Sequence, residues 1–593
     1  MTNTKLTGSQ NHCASHRLAG WLMSLFCIGS IIPAWAVSPT LVPQTGVTAP
    51  ASIAELARSL KNDVDLMFEY VYTNIDYSPT FGVKKGALGT LLDGRGNDFD
   101  QSALLVVLLR QAGYTANYIY GTISLTPAQL NGWLGVEQSS PCPTFELLQI
   151  QGGIPASVYY TYTPPLDCST AQMIGADIAH VWVSVTGGSL GAATRVYDPS
   201  FKTYTTPVAA INLASAMGYN QSGFLAAAKS GTTLTGTSIR NVNSANIQGA
   251  LTGYANSLVN YIRTNMPAGT LNDVIGGKYI QPLVQPHSPQ SSLPYGYPVY
   301  TWSGDIPNGY RTTMRVQIGG IDETYYADDI YGHRLTVRYN ASFPSQPVLY
   351  LDGTVQGTGT SGATTLSYMV DFPFCFATTG AASTGCGTIG GVNYTNQYTP
   401  QNVLQASANY TYAIVNGWDY SGRGMLEFHR RQLLANQASG ASDSSEAVLG
   451  EALNMIGYSW LAQLSTAADV GDRMGGTKFV TQSAIGVVGQ VGGPYIDIPG
   501  VYVGSTSLDT TTNRAITAYF SNAGHGSAFE WGTLDQNLLK GSIGAVSTVK
   551  LFDIANTNNL IVYDATASNW TSGTNIRSLL TGYAAGDLST IDA

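Results

Sequence analysis

Residues 94–114 read GRGNDFDQSALLVVLLRQAGY, and this stretch decides the fold. A glycine-rich turn, Gly94 to Gly96, runs into an apolar helix marked by Leu104, Leu105, Leu108 and Leu109. Arg110 and Gly113 close that helix, and a strand-like run, Ala116–Ser124, follows at once. Upstream, Ile53, Leu56, Leu60, Val64, Met67, Phe68 and Val71 are spaced for one helical face. Downstream come strand-like Ala179–Val185 and Thr194–Val196, the second leading to Asp198-Pro199-Ser200. Residues 125–175 between them look like a long loop.

The order of helix, His180-Val181-Trp182-Val183 and Tyr197-Asp198-Pro199 resembles the core of the transglutaminase-like (papain-like cysteine) superfamily over about residues 50–202. In that family a cysteine opens the helix, a histidine stands on a following strand and an aspartate precedes proline on the next. Counted back from the Arg110–Gly113 end of the helix, the family cysteine falls on Asp98, the histidine on His180 and the aspartate on Asp198. GNDFDQSALLVVLLR also resembles a degenerate form found at the N-terminus of large exported bacterial proteins, in some of which RHS shells follow.

Asp98 changes the expected chemistry. A thiol at a helix N-terminus beside histidine becomes a thiolate nucleophile. A carboxylate there forms no thioester, and its attack on an acyl group would give a high-energy anhydride. It does suit the first turn of a helix, where it accepts N–H groups and complements the dipole. The expectation is therefore an inert groove, with Asp98 as an N-cap or as a partner of His180. Two sharper alternatives stay open: Asp98, His180 and Asp198 as ligands of a divalent metal, or His180 polarised by Asp198 as a general base on water. Trp182 is expected in the core.

The remaining chain is read from pattern. Helical segments are expected at 205–229 and 246–265, then a Pro/Ser/Tyr-rich linker over 281–307. Strands are expected at Arg311–Ile318, His333–Tyr339, Val348–Leu351, Thr364–Val370 and Ala406–Asn416. Helices follow at about 423–437 and 444–474, then a mixed region to the end. Gly357-Thr358-Gly359-Thr360-Ser361-Gly362 fits G-x-G-x-x-G but opens no helix, so it is expected to be a hairpin loop. His525 and Glu530 share a glycine-rich loop and carry little weight alone.

The first 36 residues have a basic start, a short apolar run (Trp21 to Ile32) and an Ala34-Trp35-Ala36 end, the pattern of a secretory signal peptide. Its removal leaves Cys142, Cys168, Cys375 and Cys386, with Cys142–Cys168 and Cys375–Cys386 the simplest pairs in an oxidising compartment. Of 593 residues 11% are charged while 44% are hydrophobic, which excludes disorder over the whole length. A net charge of −9 argues against nucleic acid as a partner. No stretch after residue 36 is apolar and long enough to read as a transmembrane helix.

The expectation is an α+β multidomain protein, secreted, periplasmic or on the cell-envelope surface: leader 1–36, transglutaminase-like (papain-like) domain 37–230, helical segment and linker 231–307, β-rich domain 308–420, and a mixed α/β region 421–593. The resemblance implies a non-catalytic module that binds a protein, a peptide or a segment of its own chain, without cofactor. A cysteine-independent hydrolase or acyltransferase on amide substrates, and a self-assembling surface protein, are the alternatives. The sequence names no ligand.

Overall fold

The computed structural model describes residues 49–136, 138–161, 170–205, 207–283, 290–340, 345–371, 373–382, 385–396, 406–407, 411–417, 422–459, 461–462, 466, 485–490, 494–497 and 554–592, less 564, 566–567, 574 and 583–584. The leader, Cys168, His525 and Glu530 lie outside the described residues.

The quoted stretch folds as a helix, Asp98–Gln111, sunk in a core in which almost every one of its residues is buried. Its Ala103–Leu109 stretch is apolar on every side and belongs inside, while the polar first turns are buried with partners of their own. Against it lies a five-stranded sheet in the order 296–302, 115–125, 172–186, 156–161, with 195–197 also paired to 172–186, all antiparallel. His180 faces Gly121 across this sheet. A side chain at residue 121 would collide with the Tyr297 carbonyl 2.2 Å away, so glycine lets the 296–302 strand close on the sheet.

Several elements differ from their sequence patterns for identifiable reasons. The helical face from Ile53 to Val71 belongs to two helices, Ala49–Ser59 and Val64–Asn74. Lys61 and Asn62 adopt positive φ between them, and Asp63 caps the second helix by accepting Asp65 and Leu66 N–H. Residues 125–175 are not one loop. They hold a helix, Pro127–Leu134, a turn of helix, Pro141–Phe145, continuing into a π-helical segment, Glu146–Gln151, and the strand Ala156–Thr161. Thr126 and Gln129 form a capping box around Pro127, a start signal legible in the sequence. The end of the Pro/Ser/Tyr-rich segment supplies the edge strand Gly296–Trp302.

Beyond residue 307, Thr313–Ile318, Ile321–Tyr326, Thr365–Asp371 and Ala406–Ser407 form one sheet. Leu335–Tyr339, Pro347–Leu351, Thr354–Thr358, Thr411–Asn416, Ile485–Gln490 and Pro494–Asp497 form another. The two sheets share a second apolar core with Met425 of the Arg423–Ala438 helix. The Gly357–Gly362 segment is not a hairpin loop, because its flanking strands pair in different sheets and it crosses from one to the other. Helices and several sheets together make the chain α+β. Among the described residues no helix is long and apolar enough to cross a membrane.

The two cores meet closely. Cys375 and Cys386 are bridged, with Cα atoms 5.8 Å apart, and they pack with Ile389 and Tyr394 into the first core. Cys375 N–H donates to the Gly153 carbonyl (3.2 Å), and Phe374 lies over Gly153, whose φ of +64° and lack of Cβ leave room for the ring. Cys142 is also disulfide-bonded.

Candidate functional site

Asp98, His180 and Asp198 converge, and all three are buried. Asp98 is placed by its helix. Asn97 is the N-cap, its side chain accepting Asp100 N–H at 2.9 Å, so Asp98 is the first helical residue and not the cap. Its carboxylate is thereby free to reach the sheet, where Oδ2 accepts Val181 N–H at 2.8 Å. Ser102 Oγ, one turn on, donates to the Val181 carbonyl at 3.1 Å, so the helix clamps both polar groups of one strand residue.

His180 stands between two carboxylates. Its Nε2 lies 3.1 and 3.0 Å from the two oxygens of Asp198. Its Nδ1 faces Asp98 Oδ2 at 3.6 Å and makes no hydrogen bond. Asp198 is fixed in turn: Oδ1 accepts Ser200 N–H and Phe201 N–H, both 3.1 Å, and Ser200 O–H at 2.9 Å. Tyr295 O–H reaches Oδ2 at 3.4 Å. Trp133 meets the imidazole edge-on with centroids 5.6 Å apart, and its indole N–H donates to the Ser200 carbonyl. Trp182 is in the core.

The electrostatics follow from burial and these partners. Burial pushes Asp98 up to about 6 against the opposing pull of His180 and Val181 N–H. Burial also works against the His180 imidazolium, but Asp198, and more weakly Asp98, overcome it and raise the histidine above its ordinary value. Asp198 feels the same burial, yet His180, Phe201 N–H and Ser200 hold it below the ordinary carboxylate range. The arrangement favours an imidazolium between Asp198 and a carboxyl that still takes up protons in mildly acid solution. Among the described residues no group of three or more His, Cys, Asp or Glu is placed to hold a metal ion.

Sequence pattern carries Asp98, His180 and Asp198, whereas Ser200, Trp133, Tyr295 and Val181 N–H join them only in the fold. The Asp-Pro-Ser spacing is a turn signal that points to Ser200, and the capping box places the Trp133 helix. Tyr295 comes from 97 residues further along the chain and has no local signal. Lys202 likewise belongs to no sequence motif. It is buried, and its ammonium donates to the carbonyls of Val71 (3.1 Å), Tyr72 (2.8 Å) and Ile75 at the end of the Val64–Asn74 helix. Burial pushes it down to about 7.

No curated protein and no solved structure matches the chain. The family model described as the transglutaminase-like superfamily matches residues 49–189, a span that contains Asp98 and His180 and ends short of Asp198. The chain therefore carries a transglutaminase-like superfamily domain over residues 49–189.

Proposed function

We propose that this domain is a non-catalytic scaffold module of an exported protein, in which Asp98 stands where the family has its nucleophilic cysteine. The observation that carries it is the Asp98 carboxylate itself. It is buried, bonded to Val181 N–H and set beside His180 Nδ1, where a structural acceptor is at home and an acyl acceptor is not. Trp133 and Tyr295 cover the His180–Asp198 side, which supports a closed site without ready access for substrate or water. The natural occupant of the domain's surface is then the chain's own extended segments. Gly296–Trp302 extends the sheet, and the disulfide hairpin bonds to it through Ser157 O–H to the Ile389 carbonyl and Tyr394 O–H to the Ala156 carbonyl. Buried disulfide cysteines and the N-terminal leader pattern support export to an oxidising compartment.

The test is turnover. The full chain is incubated with glutamine-containing peptides and a fluorescent amine, and with peptide and ester substrates. No product above background is expected from wild type or from Asp98→Asn. Turnover by wild type that Asp98→Asn abolishes overturns the proposal.

A further inference from the structure

Lys85 and Asp93 form a second buried charged cluster, apart from the His180 site. Lys85 precedes the Gly86–Asp93 helix and Asp93 ends it. Lys85 Nζ lies 3.1 Å from Asp93 Oδ2, and both side chains are 0% exposed. Two donors from beyond residue 307 also hold the Asp93 carboxyl: Tyr331 O–H on Oδ2 at 2.7 Å and Gly422 N–H on Oδ1 at 3.0 Å. A second acid, Asp100, holds the backbone on either side of Lys85. Asp100 Oδ1 accepts the N–H groups of Lys84 (3.1 Å), Lys85 (3.1 Å) and Gly86 (2.9 Å).

We propose that Lys85 and Asp93 condense to an intramolecular amide, so that the mature protein carries a covalent Lys85 Nζ–Asp93 Cγ bond. The chemistry follows from burial. Away from water an ammonium–carboxylate pair loses its solvation, and transfer of the proton to give amine and carboxylic acid relieves that cost. Burial raises the Asp93 carboxyl in this sense. The neutral Lys85 amine attacks Asp93 Cγ. Charge builds on Oδ1, where Gly422 N–H is already aimed, as donors are aimed at an oxyanion. The amine proton passes to the departing Oδ2, which lies 3.1 Å from Lys85 Nζ. The C–O bond breaks, the C–N bond remains, and one water leaves; nothing is oxidised or reduced. Holding amine and carboxyl together in a fixed geometry supplies the effective concentration the reaction needs. The product would tie the two ends of the Gly86–Asp93 helix, leaving Asp93 a carbonyl oxygen to accept from its neighbours.

The test is peptide mapping of the full wild-type chain. Trypsin cuts after Lys84 and Arg95 and, where Lys85 is unmodified, after Lys85. The expected product is the 85–95 peptide, uncut after Lys85 and lighter than the linear peptide by one water. Its Lys85 side chain should resist acylation under denaturing conditions. Because Asp93-Gly94 can also lose water by backbone cyclisation, mild base is the control: an imide reopens and the amide persists. A full-mass peptide with cleavage after Lys85 overturns the proposal. So does a water loss that reverses in base and leaves Lys85 acylatable.

Discussion

Truncating Asp98 to Ala should have opposite consequences at the two ends of the pH range. Below pH 6 the native carboxyl is largely protonated, and its main service is to accept Val181 N–H. Removing that acceptor leaves a buried donor unpaired, a cost of about 1–3 kcal/mol. Above pH 6 the wild type carries a buried charge. The folded value of about 6 stands above the ordinary 3.8, so the folded state binds the proton more tightly than the unfolded chain. Stability from this group is thus fully present below pH 3.8 and is lost as pH rises through about 6. At about 1.36 kcal/mol per pH unit, that loss reaches about 3 kcal/mol by pH 8. Asp98→Ala escapes it. The assay is urea unfolding of both proteins at pH 5 and pH 8, followed by tryptophan fluorescence because Trp133 is buried against His180. The variant should be less stable than wild type at pH 5 and should regain about 1.4 kcal/mol relative to it by pH 8, the part of the loss that falls above pH 5. A difference that does not change with pH, or a variant that is more stable at pH 5, would refute this account of the site.

Other consequences can be checked in the same way. Lys202→Met keeps the volume but leaves the helix-end carbonyls of Val71, Tyr72 and Ile75 without their donor; a loss of about 1–3 kcal/mol or more is expected in urea unfolding. Replacing Cys375 and Cys386 together by serine opens a loop closed over a separation of 11 residues, for which chain entropy gives about 3 kcal/mol. The loss should appear first as faster proteolysis within residues 373–396. Gly89→Ala would place a Cβ 2.3 Å from the Tyr331 ring, so the contact between the two cores should loosen, read as faster amide exchange around Tyr331.

How much of this was legible in the sequence depends on the range of the forces involved. The Asp98–Gln111 helix, the 115–125 and 172–186 strands and the Asp198 turn are written in local pattern, and they bring the three polar residues together. The break at Lys61-Asn62 was hidden because the apolar spacing continues through it, although Asp63 is a good cap. Asp98 passed for a cap because caps and first-turn acids are the same residue types; only the fold shows that Asn97 caps and Asp98 crosses to Val181. The Gly357–Gly362 crossover looked like a hairpin because two strands flank it, and sheet membership is a non-local fact. Tyr295, Trp133 and the hairpin of residues 375–396 come from distant parts of the chain, and their docking depends on packing that no short window contains.

Asp98, His180 and Asp198 form a single buried charged unit with His180 held as an imidazolium. The direct measurement is nitrogen NMR of the imidazole rings across pH, with His180 assigned among the seven histidines by comparison with His180→Gln. His180 should keep both ring protons to well above pH 6.5, the ordinary histidine value, and should titrate lower in Asp98→Asn. A His180 ring that is neutral at pH 6.5, or whose titration is untouched by Asp98→Asn, would contradict the claim.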